Sequence, residues 1–113
     1  MSNYRQLEIY HRAQDQLRGI AAITSQVRFG DLANQLRRSG ISVVSNIVEG
    51  AGRGSDAEFV RFLTIARASN DEAAAQIEIL ATITGIDQHE RMAANQILGR
   101  KITRMIAALR GGG

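Results

Sequence analysis

Hydrophobic positions recur every three or four residues in four long segments of the chain, separated by glycine-bearing breaks. The first segment predicts a helix over about 3–28, with Leu7, Tyr10, Gln14, Leu17, Ala21, Thr24 and Val27 as its buried stripe. Gly30 reads as a C-terminal stop and Asp31 as the cap of the next helix. That helix, over about 32–51, has Leu32, Leu36, Val43 and Ile47 as its apolar line. The third is predicted over about 56–84, with a seam of Phe59, Leu63, Ala66, Ala73, Ile77 and Leu80. Asn70 falls on that seam, where a polar residue fixes register at a cost in stability. Ser55-Asp-Ala-Glu58 predicts a capping box: the hydroxyl takes one orphan N–H and the glutamate returns to another. Gly85 ends this helix, and Asp87-Gln-His-Glu90 repeats the cap pattern. The fourth helix, over about 88–110, has Leu98, Ile102, Met105 and Leu109 as its seam, with Ile97 and Ile106 beside it. Connections this short predict an all-α fold, an antiparallel up-down-up-down four-helix bundle, as a single domain over 1–113.

A second line runs along the second helix: Ser39, Ser42, Asn46, Glu49 and Arg53, whose steps of three and four residues place them on one face. Ser39, Gly40, Ser42, Ser45, Gly50, Ala51 and Gly52 are small, so another backbone can approach closely. Two occupied faces are expected, one against the chain's own core and one against something else. At the end of this helix Gly50, Gly52 and Gly54 permit a sharp turn.

Composition supports helix. Proline is absent, and the only aromatics besides the two histidines are Tyr4, Tyr10, Phe29, Phe59 and Phe62. The absence of cysteine excludes disulfides and thiolate metal sites. No apolar run approaches the roughly 20 residues of a membrane span, and no secretory leader is visible, so a cytoplasmic protein is expected. The net charge of +3 is unevenly spread: residues 71–90 hold five acids and no Lys or Arg, and residues 91–113 hold five bases and no acids. The expected arrangement is an acidic helix beside a basic helix of the same bundle or of a neighbouring subunit.

Asn46-Ile-Val-Glu-Gly-Ala-Gly-Arg53, Ser55, Glu58-Phe-Val-Arg-Phe-Leu63 and Ile65-Ala66 together resemble a known pattern. The chain is similar to the four helix bundle protein family encoded in intervening sequences of bacterial large-subunit ribosomal RNA genes, related to the accessory variability proteins of diversity-generating retroelements. The resemblance is densest from Leu36 to Glu72. It implies a homo-oligomer, typically a pentamer around a central channel, and binding of nucleic acid or a nucleoprotein. On this reading Ser39, Ser42, Asn46, Glu49, Gly50, Arg53, Ser55, Glu58 and Phe59 form an oligomer interface or structural motif.

The remaining candidate chemistry is sparse. Glu49 and Arg53 are spaced for an ion pair that buttresses the corner, without a second carboxylate or nucleophile for catalysis. His11 and His89 lie in different helices without ligand spacing, so no metal is expected. Gly50, Gly52 and Gly54 lack the preceding strand and following Gly-Lys-Ser/Thr of a phosphate loop, so no cofactor is expected. Arg37, Arg38, Arg53, Arg61 and Arg67 are the candidates for contact with RNA or DNA phosphates. The expected function is a non-catalytic oligomeric scaffold or interaction module; the alternative is a nucleic-acid-binding accessory protein.

Overall fold

The structure is a computed structural model that describes residues 3–25 and 27–111. A 3-10 turn, Tyr4–Gln6, leads into α1 (Glu8–Thr24), α2 (Gly30–Ala51), α3 (Asp56–Thr84) and α4 (His89–Gly111). The packed helix pairs are α1 with α2, α2 with α3, α3 with α4, and α4 with α1. The chain thus reverses at each short link and closes an antiparallel up-down-up-down bundle of 45 × 19 × 19 Å.

Local chemistry sets most of the helix ends. Ser55 is extended and its hydroxyl accepts from the Glu58 amide at 3.2 Å, which starts α3. The predicted reciprocal half of the capping box does not form. The Glu58 carboxylate instead binds Arg61 at 2.9 and 3.2 Å, because a guanidinium one turn on offers two charge-assisted bonds. Gly85, with φ of 71°, closes α3 in the left-handed conformation and donates to the Ala81 carbonyl. Gly30, expected as a stop, is the first residue of α2, and Asp31 lies in the first turn, where its charge meets the helix dipole. No side chain caps this end.

The first helix differs most from its predicted pattern. A separate 3-10 turn replaces its expected start, and α1 ends at Thr24, not near Arg28. Its buried residues are Ile9, Ala13, Gln16, Ile20 and Thr24, while Leu7, Tyr10, Gln14 and Leu17 are only half-buried and Ala21 is exposed. Each line carries one glutamine, Gln14 in the predicted stripe and Gln16 in the buried one, and Thr24 is the residue that both share. Along α2, α3 and α4 the predicted lines point inward: Leu36, Val43, Ile47, Leu63, Ala66, Ala73, Ile77 and Ile102 are fully buried.

Two apolar clusters fill the bundle. One gathers Ile9, Ala13, Val43, Ile47, Leu63, Leu98, Ile102 and Ile106, and the other Ile20, Leu36, Ala73, Ile77 and Leu80. Gln16, Asn70 and Asn95 occupy the sequence positions between the two groups on α1, α3 and α4. They form a buried polar layer.

Candidate functional site

The polar layer ties three helices together. Gln16 Nε2 donates to Asn70 Oδ1 at 2.9 Å, and Asn95 Nδ2 donates to Gln16 Oε1 at 2.9 Å. Asn70 Nδ2 donates to the Asn95 carbonyl at 3.1 Å, and Asn95 Nδ2 reaches the Asn70 carbonyl at 3.0 Å. No buried side-chain polar atom among the described residues lacks a partner. Because each amide needs partners on two other helices, the layer locks the axial register of α1, α3 and α4.

The second face of α2 makes contacts inside the chain. Ser39 is buried, and its hydroxyl donates to Gln76 Oε1 at 2.8 Å. Ser42 and Ser69 share a hydrogen bond of 2.7 Å, and Asn46 donates to the Ser42 carbonyl at 2.8 Å. Small side chains here let α2 and α3 lie close, with polar bonds across the seam.

At the glycine corner, Gly50 sits under α3. A Cβ there would stand 2.8 Å from Phe62 Cβ and 2.9 Å from Phe59 Cδ1. Glu49 pairs with Arg53 at 3.3 Å on the exposed side, where such a pair stabilises by no more than about 0.5 kcal/mol. The Arg53 and Arg61 guanidiniums both lie over the Phe62 ring, 4.8 and 4.4 Å from its centroid.

The five candidate arginines therefore do not share one surface. Arg53 and Arg61 are held on Phe62 and by their glutamates, and Arg37 donates to Thr24 Oγ1 at 3.0 Å. Arg38 lines a groove between α2 and α3 with Glu72, and Arg67 lines another between α3 and α4. Two residues that sequence reasoning did not select, Arg100 and Arg104, join Arg67 there. Their i,i+4 spacing was visible, but only the α3–α4 register brings them opposite Arg67.

The two charge runs are not neutralised by each other. No ion pair among the described residues involves Asp71, Glu72, Glu78, Asp87 or Glu90. Of the bases after residue 90, Lys101 alone is paired among the described residues, with Glu8 of α1. Arg91 instead lies across Gly19 of α1, so closely that a Cβ there would meet its guanidinium.

Ion pairs shift the titration of Glu8, Glu58 and Arg61. Hydrogen bonds from Arg12 and then Lys101 hold the Glu8 carboxyl below its ordinary range, and a hydrogen bond from Arg61 does the same for Glu58. Glu58 in turn raises Arg61. A carboxyl depressed in the folded state stabilises above its ordinary range, and that contribution is lost as pH falls through the depressed value. The thermal midpoint of a Glu8→Gln/Glu58→Gln variant is therefore expected below wild type at neutral pH and to converge with it in acid. A gap that persists unchanged into strong acid would exclude the two carboxylates as its source. Among the described residues no group of three His, Cys, Asp or Glu side chains is placed to hold a metal ion. His11 Nε2 donates to the Arg5 carbonyl at 2.6 Å. Among the described residues no helix is long and apolar enough to cross a membrane.

These features define an antiparallel four-helix bundle with a polar layer through its core and a glycine corner beneath α3. The chain belongs to the 23S rRNA-intervening sequence protein family, whose pattern it matches over residues 5–108. Its fold is also that of a protein with unknown function from the S23 ribosomal protein family of Bacteroides thetaiotaomicron VPI-5482, solved at 1.70 Å. The two align with a TM-score of 0.70 and 21% identity, over 89% of this chain and 96% of that one. No curated protein matches the chain.

Proposed function

We propose that the protein is a non-catalytic interaction module that self-associates through the outer face of α3. One observation carries this reading. Ile65, Ala68, Glu72, Ala75 and Ile79 each stand two positions beyond Leu63, Ala66, Asn70, Ala73 and Ile77 of the core seam. Two residues turn a helix by about 200°, so α3 carries a second heptad seam opposite the first. Ile65 is 40%, Ile79 48% and Ile83 46% exposed, and Ile86 and Ile41 are exposed as well. Exposed isoleucines in line along one helix face suit docking against another apolar surface.

A second copy of the chain is the occupant these features favour. The seam has the three-four spacing that packs against another helix of the same kind. The family resemblance points to a homo-oligomer on separate grounds. The non-catalytic part of the reading is supported by the sequence, which sets no second carboxylate or nucleophile at a catalytic spacing from Glu49.

Ile79→Glu places a charge on the seam without touching the core. The expected result is a shift of the native mass toward the 12.3 kDa monomer, with unchanged helicity by circular dichroism. A wild-type monomer at micromolar concentration, or an Ile79→Glu protein of wild-type mass, would overturn the proposal.

A further inference from the structure

We propose that the groove between α3 and α4 binds a phosphate ester of nucleotide size. The groove holds about 600 Å³, inside the range of about 300–1,000 Å³ usual for small-ligand sites. It lies on the flank of α3 that faces α4, so the inference stands apart from self-association through the outer seam.

Three guanidiniums line it: Arg67 from α3, and Arg100 and Arg104 from α4. None is in an ion pair among the described residues, although the groove also contains the carboxylate of Asp71. These arginines differ from Arg12, Arg18, Arg53 and Arg61, each of which pairs with an acid three or four residues away. Guanidiniums that line one groove from two helices and are unpaired among the described residues suit a phosphate, which accepts their planar forks at several oxygens.

The floor and walls narrow the ligand class. Asn70 and Asn95, both buried, also line the groove. One hydrogen of Asn70 Nδ2 goes to the Asn95 carbonyl; the other has no acceptor among the described residues. Gly99 keeps the space above this amide open, since a Cβ there would stand 3.2 Å from Asn70 Nδ2. Met92 and Ala74 add apolar wall. Asp71 opposes bare phosphate but accepts from a hydroxyl or amino donor, as do Gln96 and Thr103 through their oxygens. A ligand with a phosphate at one end, hydroxyl donors beside it and a flat apolar portion fits this set. A nucleoside phosphate has that chemistry, whether free or as one unit of a strand.

The test titrates wild type and Arg100→Ala/Arg104→Ala with inorganic phosphate, adenosine diphosphate and a short single-stranded RNA oligonucleotide at several salt concentrations. Both arginines are exposed, so the variant is expected to keep wild-type helicity and native mass; Arg67→Ala serves as a second variant from the other wall. The expected result is that adenosine diphosphate binds better than inorganic phosphate, and that the double variant loses at least about tenfold in affinity. RNA that binds more tightly than the nucleotide, with steep salt dependence, assigns the phosphate to a strand; RNA that binds no better assigns it to a free nucleotide. No binding of either at low salt, or unchanged binding by both variants, would overturn the inference.

Discussion

Asn70→Ala is expected to lower stability by about 3 kcal/mol and the thermal midpoint by roughly 10 °C. The side chain is 1% exposed and joins Gln16 of α1 to Asn95 of α4. Its removal strands Gln16 Nε2 in the core, and a buried polar group without a partner costs about 1–3 kcal/mol. The vacated volume adds a cavity term. Urea denaturation at fixed protein concentration measures the change, since self-association would otherwise move the midpoint. A loss below about 0.5 kcal/mol, the scatter of surface substitutions, would mean that the layer does not hold the bundle. The combined change of Gln16, Asn70 and Asn95 to leucine is expected to act in the opposite direction. Removing all the partners leaves no orphan, and such apolar replacements are neutral or stabilising. Its cost is specificity: without the amides, α3 and α4 have only smooth seams to set their axial register.

That register separates what the sequence discloses from what it hides. The seams of α2, α3 and α4 were legible because their buried positions are apolar: Leu36, Val43, Leu63, Ile77 and Ile102 repeat with helical period. Along α1 the same rule gives a neighbouring line that meets the buried one at Thr24, because two faces of this helix are similarly apolar and Gln16 is buried through two distant asparagines. The capping box at Ser55 was half legible: the hydroxyl bond depends on local geometry, but the partner of Glu58 depended on the competing Arg61. The five arginines chosen from sequence were judged by charge alone. Their fates turn on packing that no window of sequence contains, such as Phe62 beneath Arg53 and Arg61. The groove at Arg67 required two helices at a defined offset. The layer of Asn70 and Asn95 supplies that offset, so the residue that fixes the fold's register also places the candidate site.

Gly50→Val is expected to cost about 3 kcal/mol or more, against near neutrality for Gly30→Ala. Gly30 is exposed and a Cβ there meets nothing within 4 Å, so it reports helix propensity without packing. At Gly50 the obstructing atoms include Phe62 Cβ at 2.8 Å and the Phe59 carbonyl oxygen at 3.3 Å, which belong to or hang directly from the α3 backbone. They cannot swing aside, so α3 must move. Alanine is the intermediate case: it gains about 1 kcal/mol of helix propensity and loses about 1–3 kcal/mol to overpacking. Denaturant midpoints of the glycine, alanine and valine forms should therefore fall in that order, and equal midpoints would show that the corner has slack. The same series separates the corner from the proposed interface. Ile65 stands one turn beyond Phe62 on α3, so a displaced helix carries the outer seam with it. Gly50→Val is accordingly expected to lose stability and assembly together, whereas Ile79→Glu loses assembly alone. If Gly50→Val were destabilised yet assembled as wild type, the subunit contact would have to lie away from the N-terminal half of α3.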